Sequence, residues 1–167
     1  MADLEWDFGH KSDRKVLQFS NGNKNVKNIG ESYASIKLKN KTTNNDKEYK
    51  VTIKNEIKYD DWLYIGVCDR DWGNKIEYDH RNGNIRDNDK EIKKLEKILK
   101  SGDSLKIKDT FYGKINDKKV YKVSIHKNQE KLCETFYSQE ERKTLLLYIG
   151  PKIQLEVNVN GKILTNY

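Results

Sequence analysis

Two stretches of the chain carry side chains that could do chemistry. Cys68 is followed by His80 and several Asp residues, which places a thiol and a base in one region. A reactive thiol needs a helix N-terminus or a neighbouring cation to lower its pKa. Cys68 instead ends the apolar run WLYIGVC at 62–68, so it reads as structural. Cys133, in KLCETFY, has no His near it in sequence. Asp69-Arg70-Asp71 and Asp87-Asn88-Asp89 look like pieces of calcium loops, but the Gly at the sixth place and the Glu at the twelfth are missing. They read as turn and cap residues. His10, His80 and His126 are scattered, and the phosphate-loop, zinc-protease and nucleophile-elbow motifs do not occur. The expectation is a protein without catalysis, metal or cofactor.

Recognition is the chemistry that the same region suits better. Arg70, Arg81 and Arg86 are three of the five arginines in the chain, and all fall between 69 and 89. Arg offers a planar fork and is enriched at binding hot spots, whereas Lys is depleted there. Trp72 and Tyr78 share that polar stretch. Trp72 serves either as an anchor for a partner or as a lid folded back on the core. A strand feeding an aromatic, Arg-bearing loop is a common way to present a binding surface.

The elements that must position this loop have a period of two. EYKVTIK at 48–54 sends Tyr49, Val51 and Ile53 to one face. VYKVSIH at 120–126 does the same with Tyr121, Val123 and Ile125, and KIQLEVNVN at 152–160 with Ile153, Leu155, Val157 and Val159. SLKIKD at 104–109 and YASIKL at 33–38 follow the same rhythm. Strict alternation marks antiparallel strands with one wet face. Tyr49, Tyr121 and Tyr148 share the register of their apolar neighbours and read as core. His126 falls on the outward register. WLYIGVC does not alternate and reads as a strand buried on both faces, with Gly66 marking a close backbone approach.

Asn21-Gly22-Asn23, Asn44-Asn45-Asp46, Asn82-Gly83-Asn84 and Asn160-Gly161-Lys162 read as turns. The exception to the strand rhythm is 88–102, where Ile92, Leu95, Ile98 and Leu99 recur at helical spacing. Asn88 with Glu91 makes a capping box, and Gly102 stands where a helix stops. The spacing predicts one amphipathic helix near 88–101, its stripe covered by the sheet in preference to a partner, and a second short turn at 138–143. The expected fold is all-β, an antiparallel sandwich forming a single domain over 1–167.

Length and composition agree. The chain has 167 residues, 35% of them apolar and 35% charged, yet with three Trp, ten Tyr and four Phe it is too aromatic for disorder. No stretch is apolar enough for a membrane helix, and MADLEWDFGHK is not built like a secretory signal. With two cysteines and no signal, the expected compartment is cytoplasmic, with nucleus and cytoskeleton left open. The net charge is +7, which invites a nucleic-acid reading. That charge is carried almost entirely by Lys, and Lys travels with Asn, as codon bias in an AT-rich genome would write it. A solvated Lys-rich surface and a basic binding surface both remain open, the second implying weak non-specific nucleic-acid binding.

In order along the chain, these segments resemble the B30.2/SPRY family. WDFGHKSDRKVLQFSNGNKNVKN at 6–28 is similar to its opening, and EYKVTIKNEIKYDDWLYIGVCDRDW at 48–72 to its most recognisable strand pair. SGDSLKI, YKVSIHKN and LYIGPKIQLEV resemble later strands. The chain departs from the pattern before 48, where the usual Ser-x-Gly turn and Trp are missing, and the 88–102 segment reads as an insertion. The resemblance implies a bent sandwich without catalysis that binds a protein or peptide through edge loops, possibly as a subunit of a larger complex. It places one binding region in the loop that follows Ile65-Gly66-Val67-Cys68, with Cys68 and Asp69 at its start, and another at the turn Ile149-Gly150-Pro151. The competing reading is a basic nucleic-acid-binding β domain.

Overall fold

The computed structural model describes residues 3–39, 46–138 and 142–162, the side chains of 161 and 162 excepted. Asn44-Asn45 and residues 139–141 of the 138–143 turn lie outside the described residues, and Ser138, Arg142 and Lys143 are not helical. Fourteen strands are described: β1 (Trp6–Phe8), β2 (Leu17–Ser20), β3 (Asn25–Asn28), β4 (Ala34–Leu38), β5 (Asp46–Ile53), β6 (Leu63–Cys68), β7 (Ile76–Asp79), β8 (Asn84–Asp87), β9 (Lys90–Lys94), β10 (Ser104–Ile115), β11 (Lys118–Lys127), β12 (Glu130–Ser138), β13 (Thr144–Ile149) and β14 (Gln154–Lys162). They form two seven-stranded sheets, every pairing antiparallel. The first runs β1-β4-β13-β6-β7-β8-β9 and the second β12-β11-β10-β5-β14-β3-β2.

The alternating segments are strands, and their apolar registers face the core. Val51, Ile125, Leu155 and Tyr49 from the second sheet are buried in one cluster with Ile36, Ile65, Tyr78 and Leu147 from the first. Burying a side chain of this size contributes roughly 1.5–3 kcal/mol. Asn21, Gly22 and Asn23 all take positive φ in the β2–β3 turn, as does Gly83 between β7 and β8. Asn160-Gly161 is not a turn. It lies inside β14 and pairs with Glu48 and Lys47 of β5.

The helix expected near 88–101 does not form. Among the described residues the single helix is α1 (Asp13–Val16). Asn88 turns left-handed at φ 55°, and its N–H reaches the Lys75 carbonyl at 2.7 Å. The chain then returns as β9 along β8. Helix propensity in this Lys- and Glu-rich segment is worth only tenths of a kcal/mol per residue and yields to the unpaired edge that β8 would otherwise expose. Exposed Lys90, Glu91, Lys93 and Lys94 make β9 a charged, self-protecting edge. The apolar stripe is nevertheless covered by the chain itself: Leu95 and Leu99 are buried in the core, and Ile92 packs against it.

Candidate functional site

The first sheet has a second face, turned away from the core, and its side chains follow from the register. Tyr148 of β13 pairs with Tyr64 of β6, which pairs with Asp79 of β7. One step along, Leu146 pairs with Gly66, Gly66 with Glu77, and Glu77 with Arg86 of β8. Gly66 is required here, because a Cβ would lie 2.2 Å from the Ile76 carbonyl oxygen and 2.6 Å from Glu77 Cα. This row forms the floor of an open groove of about 700 Å³, walled by Tyr33 and Trp62 on one side and by Trp72 to Lys75 on another.

The aromatic wall is a connected set. Tyr33 stacks on Trp62 with centroids 5.5 Å apart, and the rings of Tyr64 and Tyr148 meet edge to face at 5.6 Å. Trp62 is 42% exposed and Tyr33 50%, so this surface is wet. The Arg81 guanidinium lies 4.6 Å from the Trp62 ring centre, and Lys75 Nζ lies over Tyr148 while donating to its hydroxyl at 3.2 Å. Burial pushes the Glu77 carboxyl above the usual range, although Lys75 pulls it back.

Asp69 builds the opposite wall. Its Oδ1 accepts from the N–H groups of Asp71 and Gly73 at 3.0 and 2.8 Å, and its Oδ2 from the Asn74 amide at 2.9 Å. Burial alone would raise its pKa, but these hydrogen bonds outweigh burial and hold it below the normal value. The loop so tied can hold Trp72 and Asn74 at positive φ. Trp72 is half-buried in the groove wall, with the Lys37 ammonium over its ring at 5.0 Å.

The residues singled out in the sequence therefore divide. Trp72 and Arg86 line the groove, while Arg70 and Arg81 are exposed on the loops around it. Asp69 shapes the loop. Cys68 and Tyr78 are not available to a partner, because both are fully buried. Burial pushes the Cys68 thiol up to about 12, leaving it protonated and unreactive, and Cys133 is raised to about 11 for the same reason. Tyr78 points into the core beside His80. The His80 Nε2–H can only donate to the Lys58 carbonyl at 2.8 Å, which leaves Nδ1 to accept from the Tyr78 hydroxyl at 2.9 Å. Gly150 is also buried, and its N–H donates to the Trp62 carbonyl at 2.7 Å. It positions the aromatic wall and does not touch the groove.

Sequence reasoning missed Tyr33, Trp62, Tyr64, Glu77 and Asp79, and it placed Tyr148 in the core. Tyr148 alternates with buried Leu147 and Ile149, so it belongs to the groove face and is half-buried. The signal was the unbroken run Thr144–Ile149, whose two faces cannot both be the core of one sandwich. Among the described residues no cluster of three His, Cys, Asp or Glu side chains could hold a metal ion, and no helix is long and apolar enough to cross a membrane.

The architecture is a SPRY-like β-sandwich. A human SPRY domain superposes with a TM-score of 0.65 at 10% identity, over 95% of this chain and 99% of that one. The SPRY domain of human HERC1 gives 0.60 at 13% identity, over 85% and 91%. A carbohydrate-binding module from Bacillus subtilis gives 0.59 at 11% identity, over 98% and 99%. No protein-family model matches the chain, and no curated protein matches it in sequence.

Proposed function

We propose that this chain is a non-catalytic recognition module that holds a protein or peptide partner through the loops around the groove of the first sheet. The observation that carries this reading is the groove itself. Trp62 and Tyr33 stay exposed beside Arg81, Trp72 stands in the facing wall with Arg70 exposed on the same loop, and this surface is built on strands whose other face is core. Exposed aromatics next to Arg are the composition of binding hot spots. The likeness in fold to two human SPRY domains supports it. The same sandwich also serves in a carbohydrate-binding module, so the ligand is set by side chains and not by the fold.

The test is capture from native lysate by the wild-type chain and by Arg70→Ala, Trp72→Ala and Arg81→Ala. Lys106→Ala on the second sheet is the control, and every variant is melted in parallel. Each groove variant should weaken capture by about 2 kcal/mol without unfolding the domain. If Trp72→Ala and Arg81→Ala lower the melting temperature while the folded fraction still binds its partner fully, both side chains are structural and the reading fails.

A further inference from the structure

We propose that the floor of the groove, inside the loops just described, is a subsite for a neutral sugar ring. Glu77 and Arg86 are register partners on β7 and β8, and both line the groove. Glu77 Oε2 and Arg86 Nε are buried without any hydrogen-bond partner in the protein, and so is Asn84 Oδ1 on the same face of β8. Natural proteins leave few such atoms unpaired, because each carries a desolvation cost that nothing offsets. Glu77 and Arg86 both line the groove, so a molecule seated on its floor meets a carboxylate acceptor and a guanidinium donor side by side. Hydroxyl groups serve both.

Charge narrows the choice. Lys75 and Arg86 face Glu77, Asp79 and Asp89 around the groove, so the site is nearly balanced within a chain of net charge +7. A polyanion would meet carboxylates, and a polycation would meet Lys75 and Arg86. Backbone pairing narrows it further. β13, β6 and β7 are interior strands, paired on both sides, so an extended peptide finds no free main-chain edge here. What remains is recognition by side chains alone. Tyr64 and Tyr148 offer apolar ring surface, half-buried on the floor. A sugar ring presents C–H groups to such a surface and hydroxyls to the carboxylate, guanidinium and amide around it.

The inference concerns the floor and does not depend on what the surrounding loops hold. The whole chain is titrated with glucose, mannose, galactose, N-acetylglucosamine and their homodisaccharides. Tryptophan fluorescence reports on Trp62 and Trp72, and saturation-transfer NMR reports on the sugar. At least one sugar should bind saturably. Affinity should drop about tenfold in Glu77→Gln and in Arg86→Lys, and stay unchanged in Lys106→Ala on the second sheet. The two floor variants keep side-chain size, and a thermal melt verifies that each is folded. The proposal is overturned if no sugar of the panel saturates the wild-type chain, or if both floor variants bind sugar as the wild type does. It is equally overturned if Glu77→Gln releases a captured protein partner but leaves sugar binding intact, since the floor would then belong to the protein-binding surface.

Discussion

Asp109 Oδ2 lies 3.2 Å from Arg142 Nη2 with both side chains almost completely buried. Asp109 occupies the core register of β10, two residues beyond Ile107, where the alternation asks for an apolar side chain. The Tyr137 hydroxyl meets both carboxylate oxygens, at 3.0 and 2.9 Å, and the Arg142 guanidinium also lies 4.1 Å from the Tyr121 ring centre. The pair thus pins the start of β13, an interior strand under the groove, to the second sheet.

Removing one partner leaves the other charge buried alone, so Asp109→Ala and Arg142→Ala should each destabilise the fold by about 3–5 kcal/mol. Replacing both at once by Leu and Met should recover most of that loss, because a buried ion pair is roughly matched by packed apolar side chains. Urea unfolding of the two single variants and the double variant checks this. A double variant as unstable as the sum of the singles would show that the pair is not a unit.

His126 contributes a pH dependence to stability. It faces Lys106 and Lys131 across the strands, with Lys108 and Glu48 nearby. Burial first, and then Lys108, Lys106 and Lys131, lower its pKa in the folded chain below the ordinary value. The unfolded chain therefore takes up a proton at a higher pH than the folded one. The stability that His126 contributes is complete above about pH 6.5 and is lost as pH falls through the lower folded value. Chemical denaturation from about pH 7.5 to about pH 5 should show this decline in the wild type and a shallower one in His126→Gln. Equal slopes would remove His126 as its source.

The lysines outside the groove lead to a third expectation. On the second sheet Lys106 pairs with Glu48 at 3.0 Å, and Lys131 pairs with Glu134. Such pairing offsets part of the Lys charge on this sheet. Nucleic-acid affinity should be weak, indifferent to sequence and largely abolished at physiological salt. Electrophoretic mobility shifts at about 50 and 150 mM salt measure it. Tight, sequence-dependent binding at the higher salt would restore the basic-domain reading.

The strands were legible because alternation is a local signal that a half-buried sheet imposes on every residue. Val51, Ile125 and Leu155 are core for that reason. The 88–102 segment was not, because its helical spacing and strong helix formers compete with a requirement that lies elsewhere in the chain, the unpaired edge of β8. Sequence carries no mark of an edge waiting to be filled. The groove was half legible. Arg86 and Trp72 announced themselves by residue type in a polar stretch, whereas Tyr64 and Tyr148 sat inside apolar runs. Only the pairing of β6 with β13 shows that these two turn outward together. Asp109 and Arg142 are thirty-three positions apart, and nothing local joins them.

Gly150 gives the sharpest test of how the groove is built. Its N–H donates to the Trp62 carbonyl at 2.7 Å. A Cβ at this position would lie 2.5 Å from that oxygen and 3.2 Å from Trp62 Cβ. The obstructing atom is backbone, so no rotamer change relieves it. Either the hydrogen bond lengthens or the chain at Trp62 moves, and the stacked pair of Trp62 and Tyr33 moves with it. Gly150→Ala should cost about 1–3 kcal/mol, as overpacked sites do. It should also change tryptophan fluorescence and weaken whatever the aromatic wall holds. Gly113→Ala is the matched control: nothing lies within 4 Å of its Cβ position, so its stability should stay within about 0.5 kcal/mol of the wild type. Melting both variants and measuring capture on the folded protein separates the two effects. If Gly150→Ala is destabilised but binds as the wild type does, the aromatic wall is not part of the recognition surface.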